Sequence, residues 1–170
     1  GAPEQMRSRP RYWLALGSLE LRANALEEAE KAFEAALARS SDDDKEGPDA
    51  LGALAGLTET QLRLNKLDAA KASSERLLAA APNSRIAKLL SAQVAASGGD
   101  NERAREQLEE LVSANPDDLQ ARMLLGGVNL QQGNLGQAEM HFAAVVARQP
   151  DNVRAQKLLA DTRSRIESPE

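Results

Sequence analysis

The side chains best equipped for chemistry in this 170-residue sequence are few and scattered. His141 is the one histidine, and the chain has no cysteine, so neither a zinc ligand set nor a nucleophile–base pair can be assembled around it. Next to Phe142 on what reads as a helix, His141 is expected to be an exposed or rim side chain rather than a metal ligand. Asp42, Asp44, Glu46 and Gly47 follow the opening of a calcium loop, but that motif requires an acid at its twelfth position, where Ala53 stands. A solvated acidic loop is the simpler reading. Gly98-Gly99 and Gly126-Gly127 are pairs, not the longer glycine patterns that cradle phosphate. The first pair reads as an interhelical turn, the second as a close-packing position beside a bare groove position. The sequence therefore predicts no enzyme: no catalytic residue, no cofactor and no metal.

Composition says which elements must carry whatever function remains. Of the residues, 42% are hydrophobic and only 2% aromatic, so the buried mass is Ala and Leu, which pack helices closely and fill sheet interiors poorly. A net charge of −5 and a pI near 5.1 offer no basic footprint for nucleic acid. The absence of cysteine leaves the redox compartment open. No apolar run approaches the ~20 residues that cross a bilayer, and Gly1 to Pro10 contains no signal-peptide core. The polar start Gly1-Ala2-Pro3, without an initiator Met, reads as a processed terminus or a piece cut from something longer, with the piece preferred and residues 1–9 as a disordered or residual tail.

Pro48, Pro82, Pro116 and Pro150 recur every 34 residues, and a fixed period means repeated architecture. Each proline is expected in the first turn of a following helix, where its missing N–H costs nothing. Between them lie helix pairs with a short polar break, for example Leu119 to Gln132, Gly133-Asn134, then Leu135 to Arg148. Corresponding breaks fall at Ala23-Asn24, Asn65-Lys66 and Gly98-Gly99-Asp100, and Asp100 and the Asp117-Asp118 pair stand where helix caps belong.

These residues resemble the tetratricopeptide repeat family, whose signature is W-x₂-L-G-x₂-Y, then A-x₃-F, then P within 34 residues. The first unit has Trp13, Leu16, Gly17, Ala29 and Phe33, with Glu20 for the tyrosine and Ser41 for the proline; the fourth has Leu125, Gly126, Ala138, Phe142 and Pro150. The second (Leu54, Leu57, Ala70, Pro82, with Ser74 for the aromatic) and the third (Ala92, Ala104, Leu108, Pro116) match less fully. The resemblance implies an all-α, right-handed solenoid of about four helix-turn-helix hairpins, units 10–41, 49–82, 83–116 and 117–150, closed by a capping helix at 151–166. An acidic loop at 42–48 is inserted after the first unit. Small residues at Gly17, Ala92, Gly126, Ala29, Ala70, Ala104 and Ala138 let helices approach, and Phe33, Leu77, Leu111, Phe142 and Val145 fill the space between hairpins. Trp13 takes the family's structural tryptophan position, which favours core over ligand stacking; Tyr12, one residue away, is expected to point elsewhere.

Function in this family usually sits on the face made by first helices, where a partner segment is held. The register places Leu14, Ser18 and Leu21 there from unit one, Ala55, Glu59 and Leu62 from unit two, and Leu89, Gln93 and Ala96 from unit three. Met123, Gly127 and Leu130 follow, then Arg154 and Lys157 from the last helix. Where chaperone-tail clamps carry Lys and Asn, this chain has Leu14 and Ser18, so that ligand is not expected. An apolar stripe rimmed by Arg11, Arg22, Arg63, Arg154 and Lys157 suits an amphipathic helix or hydrophobic peptide, and equally suits self-packing of a tight superhelix. The wording of Gly133 to Glu139 and of Pro150 to Ala160 is similar to bacterial repeat lipoproteins and periplasmic scaffolds of exopolysaccharide or envelope assembly. That likeness implies a non-catalytic protein–protein interaction scaffold in the bacterial periplasm or at the outer membrane, with the cytoplasm and an oligomer both compatible. A regulatory or sensory peptide-binding module, or a substrate-recruiting domain of an enzyme lying outside these residues, is the alternative.

Overall fold

The computed structural model describes Gln5, residues 8–40 and residues 47–168. Among them are nine helices and no strand: α1 (Pro10–Arg22), α2 (Leu26–Arg39), α3 (Pro48–Arg63), α4 (Leu67–Ala80), α5 (Arg85–Ser97), α6 (Asn101–Ala114), α7 (Leu119–Gln131), α8 (Leu135–Arg148) and α9 (Val153–Glu167). The chain divides into two compact units, Gly1–Val94 and Ala95–Glu170, with α5 running from the first into the second. In the first unit α1 packs on α2, α2 on α3 and α3 on α4; in the second α6 packs on α7, α7 on α8 and α8 on α9. This is the all-helical, hairpin-by-hairpin architecture expected. Most of the acidic insertion at 42–48 lies outside the described residues.

All four turns inside the hairpins solve the same local problem in the same way. Asn24, Asn65, Gly99 and Gly133 adopt positive φ of 62°, 56°, 82° and 77°. The amide after each reaches five residues back: Ala25 N–H to Glu20 O, Lys66 to Gln61, Asp100 to Ala95 and Asn134 to Asn129, at 2.8–2.9 Å. With the companion bonds from Asn24 to Leu21, Asn65 to Leu62, Gly99 to Ala96 and Gly133 to Leu130, this is the Schellman arrangement that consumes the orphan carbonyls of a helix end. Only Gly or Asn enters that conformation cheaply, which explains the breaks seen in the sequence. No atom lies within 4 Å of a β-carbon built at Gly133, so Gly133→Ala meets backbone strain alone. It should lose ~1–2 kcal/mol of stability. Gly136→Ala, inside α8 and equally unobstructed, should gain about 0.5–1 kcal/mol. Equal urea midpoints for the two variants would contradict this account.

The junctions between hairpins are built differently, and here the expectation for proline needs correction. Pro82, Pro116 and Pro150 lie before the next helix, in turns closed by Ser84 N–H to Ala81 O, Asp118 to Asn115 and Asn152 to Gln149. Proline at the second position of such a turn sets its φ. The residue closing the turn then caps the new helix: Ser84, Asp118 and Asn152 side chains accept from the amides of Ala87, Ala121 and Ala155 at 3.4, 3.1 and 3.0 Å. Pro48 alone among the four opens its helix, and α3 is consequently 16 residues long where α5 and α7 have 13. The proline period is regular in sequence, but its first member does another job.

All twelve positions assigned to close approach or to space filling are buried. Phe33 shows why. A β-carbon at Gly17 would stand 2.8 Å from its ring, and one at Gly56 only 2.3 Å from Cζ. The phenyl group is therefore held between α1 and α3, over a cluster of Ala29, Ala36, Ala53 and Leu57. The third and fourth helices carry Thr58 and Ser74 where the family motif carries glycine and an aromatic, with Thr60 and Ser73 buried nearby: Thr58 and Thr60 donate to the carbonyls of Leu54 and Gly56, Ser73 donates to Gln61 Oε1 at 2.8 Å, and Ser74 donates to Lys71 O. Buried hydroxyls satisfied within or between α3 and α4 replace bulk, which accounts for the weaker motif of unit two.

Candidate partner-binding surface

Leu14, Ser18 and Leu21 recur along α1 at the spacing that shares a helix face, as do Ala55, Glu59 and Leu62 along α3 and Leu89 and Gln93 along α5. Leu14 and Leu21 are half-buried against the Phe33 cluster, and Leu14 Cδ2 lies 3.3 Å from where a β-carbon of Gly52 would stand. Ala55 packs on the Leu54–Leu77–Leu90 cluster, and Leu62 is half-buried. Leu89 is buried, Gln93 is half-buried and Glu59 is exposed, while Ser18 Oγ donates to the Leu14 carbonyl. Much of this stripe therefore serves the fold of its own unit. At its edge Arg11 and Arg22 are exposed, but Arg63 is committed. Its guanidinium donates to Leu21 O at 3.3 Å and to Asn24 Oδ1, placing a cation on the C-terminus of α1. Lys66 pairs with Glu30 at 2.6 Å, and that carboxylate holds the ammonium above the usual lysine range.

In the second unit the face is more open. Met123 and Leu130 are half-buried against Ala138, Phe142 and Leu159, and Leu158 of α9 joins the same cluster. Between them Gly127 faces space: nothing lies within 4 Å of a β-carbon built there. Gly126, its neighbour, is the opposite case, with Phe142 Cε1 at 2.6 Å. The close-packing reading of Gly126 fits that geometry, and Gly127 has open space in front of it. Arg154 and Lys157 are exposed. Ala96, near the end of α5, is half-buried.

Two aromatic and imidazole positions differ from expectation. Tyr12 does not turn away from Trp13; their rings meet edge to face at 5.4 Å, with Arg39 4.7 Å above the indole. Trp13 itself is half-buried against the Phe33 cluster. His141 is not exposed or at a rim but 6% exposed, with Nδ1 buried and lacking a hydrogen-bond partner. No group of three His, Cys, Asp or Glu able to hold a metal occurs among the described residues.

Burial and the Arg122 guanidinium hold His141 below the usual histidine range, against the weaker pull of Glu109. The unfolded chain takes up this proton near pH 6.5 and the folded one only at lower pH. Stability is thus intact above pH 6.5 and falls as the solution is acidified through that value, by at most ~1.4 kcal/mol per pH unit. Urea midpoints of wild type and His141→Gln between pH 7 and 5 should diverge accordingly; parallel curves would show that the imidazole does not titrate this way.

The glycines at 52 and 56 carry no mark in the family signature, yet the structure puts Leu14 over one and Phe33 over the other. Two glycines four residues apart inside a helix, each costing about 1 kcal/mol of propensity, are the signal that could have revealed them.

The tetratricopeptide repeat profile matches residues 5–44, 59–107 and 90–153. The chain belongs to the tetratricopeptide repeat family, whose members are generally protein-interaction scaffolds. Its fold is similar to that of YrrB, described as a TPR protein with an unusual peptide-binding site (23% identity, 98% of this chain and 82% of that one, TM-score 0.69). It is similar too to TTC0263, a thermophilic TPR protein of Thermus thermophilus (19% identity, 90% and 80%, TM-score 0.74). MamA from residue 41 to its end, from Desulfovibrio magneticus RS-1, also superposes (20% identity, 93% and 85%, TM-score 0.76). No curated protein matches the sequence.

Proposed function

We propose that this chain is a non-catalytic scaffold that holds a hydrophobic or amphipathic segment of a partner protein on its first helices, within bacterial envelope, secretion or exopolysaccharide assembly. The observation that carries the binding reading is Gly127, bare and unobstructed between half-buried Met123 and Leu130. A mid-helix glycine with open space before it costs stability, and a partner's close approach is a reason to keep it. The peptide-binding site ascribed to YrrB supports the same use of a similar fold. Assembly rests on the likeness of residues 133–139 and 150–160 to bacterial envelope scaffolds. A regulatory or recruiting module would use the same surface, and neighbouring domains would distinguish it. Affinity capture with wild type and a Leu62→Glu, Met123→Glu variant tests the proposal: specific partners should disappear from the variant, and identical partner sets would sink the groove.

A further inference from the structure

We infer that the first-helix face of the second unit takes an acidic amphipathic helix, whose apolar side chains seat on Met123, Gly127 and Leu130 and whose carboxylates meet Arg154 and Lys157. This rests on the scaffold reading and specifies its ligand chemistry.

Charge is unevenly placed in this unit. Residues 95–170 hold 8 Lys and Arg against 12 Asp and Glu, so the unit is acidic. Yet α7 and α9 together hold 5 of those cations and only 2 of the anions, Asp161 and Glu167. Of these five cations, Arg154 and Lys157 adjoin the apolar patch, and a cationic rim on an acidic body favours an anionic partner over a cationic one.

Most of the unit's other arginines are already engaged. Arg105 pairs with Glu109 at 3.0 Å, Arg148 with Asp117 at 2.8 Å and Arg163 with Glu139 at 2.7 Å, while Arg122 donates to Pro116 O at 2.6 Å. Arg154 and Lys157 make no hydrogen bond or ion pair with a described residue. They share a stripe of α9 with Leu158, which packs on the cluster that Met123 and Leu130 border, so the two cations adjoin the apolar patch. Asp161 lies on that stripe too, unpaired with Lys157, and leaves it with an excess of positive charge. Two such cations on a net-acidic unit are too few for a phosphodiester backbone but enough to flank a short acidic helix.

The test uses the full chain and two synthetic amphipathic peptides with identical leucines, one with glutamate and one with lysine at the polar positions, titrated calorimetrically. Wild type should prefer the glutamate peptide by roughly tenfold, less as salt rises. Arg154→Glu with Lys157→Glu should abolish the preference, and Gly127→Phe, which meets no neighbouring atom at its β-carbon, should weaken the glutamate peptide while leaving helicity unchanged. Equal binding of both peptides, or a preference that survives the charge reversal, overturns the inference. If the preference fails while Leu62→Glu, Met123→Glu still loses its captured partners, the scaffold reading stands and only the anionic ligand falls.

Discussion

Replacing Phe142 with alanine should destabilise the second unit by about 3–5 kcal/mol. The ring is fully buried among Ala138 and Leu159, with Met123, Leu130 and Leu158 around them. It also fills the space that Gly126 leaves open on α7. Two losses therefore add: the transfer of a large apolar side chain, and a cavity that cannot collapse because its walls are alanines and glycine on rigid helices. Urea unfolding followed by helical circular dichroism reads the effect. A loss below about 1 kcal/mol would mean that α7 and α8 close over the gap, contrary to this packing.

Gly126→Leu attacks the same contact from the other side and should cost roughly 1–3 kcal/mol. Its β-carbon alone would meet Phe142 ring carbons at 2.6, 2.9 and 3.0 Å. A phenyl ring has no flexible end to swing away, so helices must shift. Gly127→Leu, one residue along and facing open space, should be tolerated, and the contrast between neighbours separates packing from helix propensity. Combining Gly126→Leu with Phe142→Ala should cost less than the separate losses added together, because the new side chain occupies the vacated volume. An unchanged melting temperature for Gly126→Leu alone would show that the hairpin register is wrong.

What can be read from the sequence is what local chemistry decides. Turns that demand positive φ advertise themselves through Asn24, Asn65, Gly99 and Gly133, and caps through Asp100 and Asp118, because each acts within five residues of itself. Repetition then turns weak matches such as Ala70 and Ala104 into positions with one shared role, and both are buried. Relations between hairpins leave no such trace. Gly56 is explained only by Phe33, 23 residues earlier, and Arg63 only by the end of α1. His141 misleads for a geometrical reason: side by side with Phe142 it sits about 100° around the helix, and α8 is covered over an arc wide enough to bury both. Pro48 misleads because spacing records position and not conformation. On the candidate surface, spacing identifies the members of the stripe, but not that Leu89 is buried while Gly127 stands open.

The four turns that end first helices are closed by backbone atoms of the residues immediately around them. Each hairpin can thus find its shape without waiting for distant parts of the chain, which keeps sequence separation between partners short. Chains of that kind reach their native state in microseconds to milliseconds. A strained turn such as Gly133→Ala would then be felt early, in the rate at which α7 and α8 first come together, as well as in the depth of the final free-energy minimum.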